Sequence, residues 1–297
     1  MMTHKTVLLN ESIENLNLKP GSIYFDGTLG GAGHSKKVCS DFNGKVKVIA
    51  VDRDTNAIDN ADKILSKIGC NYELVLSDYR NIDKVLEKLG IDAVDAIMLD
   101  LGLSSDQLDL SGRGFSFKRD EPLLMTFSSD SEGKITARDI LNNWKEETIA
   151  DILYGYADEK YARRIAKAVI EHRKTTKIMT TNDFVEVIKK AVPKGYQFGK
   201  IHCATKSFQA LRIAVNDEIE ALKEGMTKGW NSLKSGGRMA IISFHSVEDR
   251  EVKNYFREKA KNGEGKLINK KPIIPSEEEI NENSRARSAK LRVIEKI

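Results

Sequence analysis

Residues 25–34 read Phe-Asp-Gly-Thr-Leu-Gly-Gly-Ala-Gly-His. A strand that ends in Asp-Gly and runs into a glycine-rich turn lets backbone approach a nucleotide-like ligand. Gly27, Gly30, Gly31 and Gly33 lack the Cβ atoms that bar positive φ and close contact, and the helix that follows presents free N–H groups at its start. The spacing narrows the choice of ligand. It is not G-x-x-x-x-G-K-S/T, which argues against a phosphate cradle, and G-x-G-x-x-G is absent, which counts against a dinucleotide. A glycine turn that binds nothing is the bland alternative.

Working outward, strand and helix alternate on both sides of this turn. Residues 23–26 form the first strand and the strongly apolar 46–52 the second, with a helix between them in βαβ fashion. Asp52 lies 22 residues after Gly30, where a carboxylate at the end of a second strand takes the ribose hydroxyls of a nucleoside; Asp54 is the better candidate for capping the next helix. Residues 72–76 give a third strand followed by Ser77-Asp78-Tyr79, whose ring is placed to stack on a base. The fourth, 96–100, ends in Asp100. Four successive strands thus end on or near an acid, at the edge where open parallel sheets bind ligands.

The chain has 297 residues, enough for one large domain with an insertion, or for two domains. No run approaches eighteen apolar residues and the N-terminus lacks a secretory signal, so the expected compartment is the cytoplasm. Cys39, Cys70 and Cys203 lack C-x-x-C spacing and read as free thiols, with no metal site. A net charge of +4 permits a polyanionic partner without demanding one.

From Ser104 the alternation stops. A polar, aromatic loop spans 112–120, and helical segments follow: Thr136 and Asp139 form a capping box, 146–154 and 159–173 carry the 3.6-residue period, and Thr181 or Asn182 caps a helix that stops before Pro193. Residues 205–223 read as one amphipathic helix. A fifth strand, 239–244, ends in His245; then come a helix, a polar loop over 263–283 and a last strand, 289–295.

Six segments, DGTLGGAGHS, DLGLSSDQLD, RGFSFKRD, ATKSFQALRIAVNDE, ISFHSVEDR and SRARSAKLR, stand in one order and register across essentially the whole chain. They resemble the bacterial 16S ribosomal RNA cytosine-N4 methyltransferases. The resemblance implies an α/β fold, a Rossmann-like class I methyltransferase sheet with an inserted helical domain. Residues 1–104 and 201–297 would bind S-adenosylmethionine (SAM), and 105–200 would recognise substrate. It implies SAM contacts at Gly30, Ala32, Gly33, His34, Asp52, Tyr79, Asp100 and Gln107, no metal, and a decoding-region cytidine of 16S rRNA in the small ribosomal subunit as acceptor. No membrane is involved, and a homodimer is left open. Departures from the family pattern cluster in substrate-side loops: Lys118 replaces a Met, Glu121 a Gly and Lys206 an Arg, while Cys203 and Ser284 each replace a Pro.

SAM is an activated electrophile, so positioning does most of the work and no covalent nucleophile is needed. Cytosine N4 is a weak nucleophile that gains from a group drawing off its proton. Asp100 either accepts from N4 or binds the methionine amino group; His245, with Glu248 or Asp249, is the second candidate for the proton. For RNA, Arg113, Lys118 and Arg119 combine with Phe115 and Phe117 to hold phosphates and stack a base, unless those rings plug the domain junction. Arg163, Arg164, Lys167, Arg173 and Lys174 make a basic helical face. Arg285 and Arg287 join Lys290 and Arg292 in one patch only if the chain bends between them. The competing readings are a nicotinamide-dependent oxidoreductase, a non-catalytic RNA-binding assembly factor that retains a SAM site, and a methyltransferase of DNA bases.

Overall fold

In the computed structural model, residues 5–102, 111–127, 133–199 and 201–297 are described. The chain divides into two compact units, one formed by the residues up to Gly102 with Ile219–Ile297, the other by the intervening segment to Glu218.

The first unit is a seven-stranded sheet in the order β3-β2-β1-β4-β5-β7-β6. Its strands are β1 (Ile23–Asp26), β2 (Lys47–Asp52), β3 (Asn71–Leu76), β4 (Val94–Asp100), β5 (Leu233–Ser243), β6 (Gly265–Leu267) and β7 (Lys290–Lys296). β1 to β5 run parallel, and β7 lies antiparallel to both β5 and β6. This is the α/β sheet that the resemblance implies.

Alternation along the strands explains why both faces are covered. Tyr24, Val48, Ala50, Ala96, Met98, Ala240 and Ile242 join an apolar cluster with α1 (Leu9–Leu16), α2 (Gly33–Asp41) and α3 (Thr55–Leu65). Their neighbours Phe25, Ile49, Val51, Ile97, Leu99, Met239 and Ile241 join a second cluster with α4 (Ile82–Lys88), α11 (Glu218–Ser232) and α12 (Ser246–Lys261). Side chains that alternate faces while both faces are buried produce the continuous apolar runs of the strands.

The second unit holds α5 (Ala137–Asn143), α6 (Glu146–Ala157), α7 (Ala162–Arg173), α8 (Thr181–Ala191), the short α9 (Lys194–Gln197) and α10 (Thr205–Asn216) around Leu141, Ile149, Leu153, Ile165, Phe184, Ile188 and Leu211. Thr136 and Asp139 close the capping box expected for α5. For α8 the cap moves one residue upstream to Thr180, paired with Asp183.

Three expectations are corrected, and one left open is narrowed. The helix expected over 205–223 is broken at Asp217 in the left-handed region (φ 53°), and Phe208, Ala210 and Leu211 of α10 lie in the helical core, so the helical unit runs past residue 200. The polar stretch 263–283 contains β6 and α13 (Glu277–Glu282). Cys39 and Cys70 are joined as a disulfide with Cα atoms 5.2 Å apart; Cys203 alone is free, and buried. Phe115, buried, and Phe117, partly buried, pack with the helical unit's own apolar cluster. Phe115 stacks on Phe127 at 5.8 Å, and Phe117 packs on His202 at 4.5 Å and Phe208 at 5.2 Å.

Candidate active site at the strand ends

β1 and β4 are adjacent, the strand order reverses between them, and α2 after β1 packs on one face while α11 before β5 packs on the other, the arrangement that leaves a crevice beyond the strands' C-terminal ends. The glycine turn after β1 is fixed there by both neighbouring strands. Gly27 donates its N–H to Met98 O at 2.9 Å, Leu29 donates to Val51 O at 3.2 Å, and Asp100 N donates to Thr28 Oγ1 at 2.6 Å. Gly30 has φ +46° and Ala32, the N-cap of α2, φ 60°. Left-handed backbone at two positions turns the chain from strand into helix within a few residues. Gly33 serves packing, because a Cβ there would collide with the Thr6 side chain.

Three carboxylates stand at this edge. Asp26 is 1% exposed; its Oδ2 accepts from Ser35 Oγ at 2.6 Å and its Oδ1 from Thr28 N at 3.2 Å. Burial pushes it up to about 6 against the opposing pull of those hydrogen bonds. Asp52 accepts from Gly30 N and Asp54 N, both at 2.9 Å, and burial raises its pKa as well. Asp54 caps α3 by accepting from Asn56 N. Asp100 is pushed up to about 8, first by burial and then by the charges of Asp26 and Glu248. Its Oδ1 is buried with no hydrogen-bond partner among the described residues, and its Oδ2 lies 4.0 Å from His34 Nδ1. A buried acceptor without a donor, inside a group of carboxyls that resist ionisation, is an environment prepared for a cation with N–H groups.

The remaining expected residues divide. Tyr79 follows β3 as expected, but its ring lies against α11, where a Cβ at Gly225 would strike it; it is partly buried in the sheet's second cluster. Gln107 lies outside the described residues. His245 caps α12, its Nδ1 accepting from Glu248 N at 3.3 Å and its Nε2 lying 3.0 Å from Glu248 Oε1. Glu248, 2% exposed, in turn accepts from Phe244 N at 2.9 Å. Sequence reasoning missed Thr28 and Ser35, the hydroxyls that tie the turn to Asp100 and Asp26; both stand beside the quoted glycines, and nothing in their type separates a ligand contact from an internal brace.

The whole chain, residues 1–297, matches the family described as MraW methylase. The chain belongs to that family. It is 43% identical over 309 aligned positions to a ribosomal RNA small subunit methyltransferase H of Brevibacillus brevis, covering 99% of this chain and 98% of the relative. It is 45% identical over 300 positions to the protein of the same name in Kosmotoga olearia, covering 99% and 98%. Among solved structures, it aligns over 100% of its length with 99% of an rRNA methylase from Streptococcus thermophilus, at 15% identity and a TM-score of 0.47.

Membership of a methylase family brings SAM as cofactor, and the residues present fit it. The ligand carries a sulfonium and an ammonium; the crevice offers the orphaned Asp100 Oδ1 and the carboxyl of Asp52, with the buried Asp26 behind them. Backbone at Gly30 to Gly33 would approach its carboxylate, and Asp52 its ribose. No helix among the described residues is long and apolar enough to cross a membrane.

Proposed function

We propose that this chain transfers a methyl group from SAM to N4 of a cytidine in the decoding region of 16S rRNA, acting in the cytoplasm on the small ribosomal subunit. The observation that carries the chemistry is Asp100: a carboxyl at the end of β4, pushed up to about 8, with one buried oxygen lacking a donor. SAM supplies a methyl on a sulfonium leaving group. As N4 attacks, its lone pair must be drawn out of the ring and its N–H proton must leave; Asp100, ionised once the cationic donor is bound beside it, accepts that hydrogen bond and takes the proton. His34, 4% exposed, flanks Asp100. His245 is a positioning residue in this reading, because its Nδ1 is committed to Glu248 N as the N-cap of α12.

Substrate recognition is assigned to the helical unit, through the exposed cations Lys160, Arg163, Arg164 and Lys167 at the start of α7. Arg173 is excluded, since its Nη1 donates to Leu141 O and Trp144 O, and Lys174 pairs with Glu171. Support for an rRNA target comes from the names of the full-length relatives, and support for N4 from the resemblance of the motifs.

Mass mapping of 16S rRNA from cells lacking the protein, with and without its restoration, tests this reading. A missing methyl on a decoding-region cytidine N4 supports it. Transfer only to DNA, to a ring carbon or to a ribose oxygen would overturn it, as would SAM binding with no transfer at all.

A further inference from the structure

A cavity of ≈ 250 Å³ opens beside this crevice, within the sheet unit, between the turn from β5 to α12 and the segment that leads into β7. Phe244, His245, Ile274, Pro275, Arg287 and Lys290 line it. Its place is fixed by the sheet: Asp100 pairs with Ile242 in register, and a Cβ at Gly102 would sit 3.2 Å from the Phe244 ring. The Phe244 ring thus lies between the segment past the end of β4 and the cavity.

Its walls are set before any ligand arrives. Ile273 and Leu291 exchange two backbone hydrogen bonds at 2.9 Å, and Ala289 N donates to Ala286 O at 2.8 Å. The 3-10 turn Ser284–Ser288 ahead of β7 supplies the bend that strand alternation would forbid, so Arg287 and Lys290 reach the same cavity.

The charges do not cancel. Lys290 and Arg292 share one carboxylate, Asp249, at 3.2 and 2.7 Å, and Arg287 has no partner among the described residues. Of the nearby acids, Glu279 is engaged by Leu8 N and Glu282 by Lys5, Glu248 is buried against His245, and Glu277 and Glu278, exposed at the start of α13, do not line the cavity. Beside this surplus of cation stands Ile274, a 66% exposed apolar side chain at the rim. An anion attached to an apolar ring or sugar satisfies both features.

We propose that this cavity binds the phosphate and sugar of a nucleotide adjoining the acceptor in the rRNA strand, with Arg287 and Lys290 on the phosphate and Phe244 and Ile274 against the sugar or base. The inference rests on the RNA-methylating role proposed above. It makes the site bipartite, with the acceptor beside Asp100 and its neighbour clamped past β5, so that one flanking phosphate sets the depth to which the acceptor base enters.

The test uses the full chain and small ribosomal subunits from a strain lacking it. Arg287→Ala should raise KM for subunits about tenfold and lower the slope of log affinity against log salt by about one, the share of one phosphate contact, with kcat and SAM affinity near wild type. Arg287→Lys should restore most of the loss, and Ser288→Trp, which fills the cavity, should reproduce it. Unchanged KM and salt slope in both Arg287→Ala and Ser288→Trp would overturn the proposal. So would loss of SAM affinity with RNA binding intact, or tight binding of free cytidine monophosphate lost in Arg287→Ala while subunit KM stays unchanged. A wild-type chain that neither binds nor methylates subunits would instead refute the parent reading, so the two failures are distinguishable.

Discussion

Gly30 donates its backbone N–H to Asp52 Oδ2 at 2.9 Å, so the glycine turn after β1 and the acid that ends β2 are already one unit in the free protein. The same carboxylate accepts from Asp54 N through its other oxygen. Asp52 thus shapes the turn, and in the proposed reading its remaining lone pairs meet the ribose of SAM. Asp52→Ala should weaken SAM by roughly 1.5–3 kcal/mol, the scale of a lost charge-assisted hydrogen bond, and should also lower the melting temperature of the free protein. Titration calorimetry and thermal melts measure the two effects; unchanged SAM affinity would remove Asp52 from the site.

The elevated carboxyls make SAM binding a proton-linked event. Asp26 at about 6 and Asp100 at about 8 hold protons that the unfolded chain would have released near 4. Between those limits the folded state binds more protons than the unfolded one, so these two groups make the free protein less stable as pH rises through the window. A cationic ligand favours the ionised carboxyls and reverses that cost. SAM affinity should therefore increase from pH 6 to about 8 and then level off, with protons released on binding. Calorimetry at pH 7 in buffers of different ionisation enthalpy reads the release directly. Asp100→Asn should abolish the upper part of the pH dependence, and an affinity independent of pH in the wild type would contradict the assignment.

Most of the sheet was legible because each strand carries its own signal. Val48, Ile49, Ala50 and Val51 are all 0% exposed, and only a strand buried on both faces asks for four apolar residues in a row. The Thr136–Asp139 capping box was equally local. What stayed hidden depends on partners distant in sequence. Asp217 can adopt φ 53° with no glycine to announce it, and the aromatic content of 112–120 says nothing about which way Phe117 faces until His202 and Phe208 arrive beside it. β6 is three residues long and owes its existence to β7. At the site, Asp52 and Asp100 were readable as strand-end acids, whereas the capping role of His245 follows from where α12 begins.

Asn216 is a single polar residue on which the aromatic loop depends. It is 5% exposed; its Nδ2 donates to Met125 O at 2.7 Å and Arg212 O at 2.9 Å, and its Oδ1 accepts from Phe127 N at 2.8 Å. Met125 is held at φ 59°, a conformation that a long side chain adopts only when its surroundings impose it. Asn216→Ala leaves buried backbone groups of the loop without partners and should cost about 2–3 kcal/mol in stability. Asn216→Asp should not rescue it, because a carboxylate cannot donate to Met125 O. Denaturant unfolding of the two variants against wild type provides the check, and a loss below about 0.5 kcal/mol for Asn216→Ala would show that water replaces the amide at no cost.

Two sets of cations that look alike in sequence should behave in opposite ways. Arg113 donates from Nη1 to Phe127 O at 2.7 Å and lies 5.6 Å from the Phe115 ring centroid, so it staples the loop to its own core. Arg164 and Lys160 sit over the Tyr161 ring at 5.6 and 5.4 Å, leaving their charges at the exposed start of α7 with Arg163 and Lys167 beyond them. Arg113→Ala should therefore reduce thermal stability and leave the salt dependence of RNA binding as it was. Replacing Arg163, Arg164 and Lys167 together by Ala should leave the melt near wild type, weaken binding to small subunits, and flatten the salt dependence by up to about three counterions. SAM affinity should hold in both variants, since none of these residues belongs to the sheet unit. A triple variant with full RNA affinity and an unaltered salt slope would show that the basic face of α7 is solvated surface, and RNA recognition by the helical unit would then have to run through other residues.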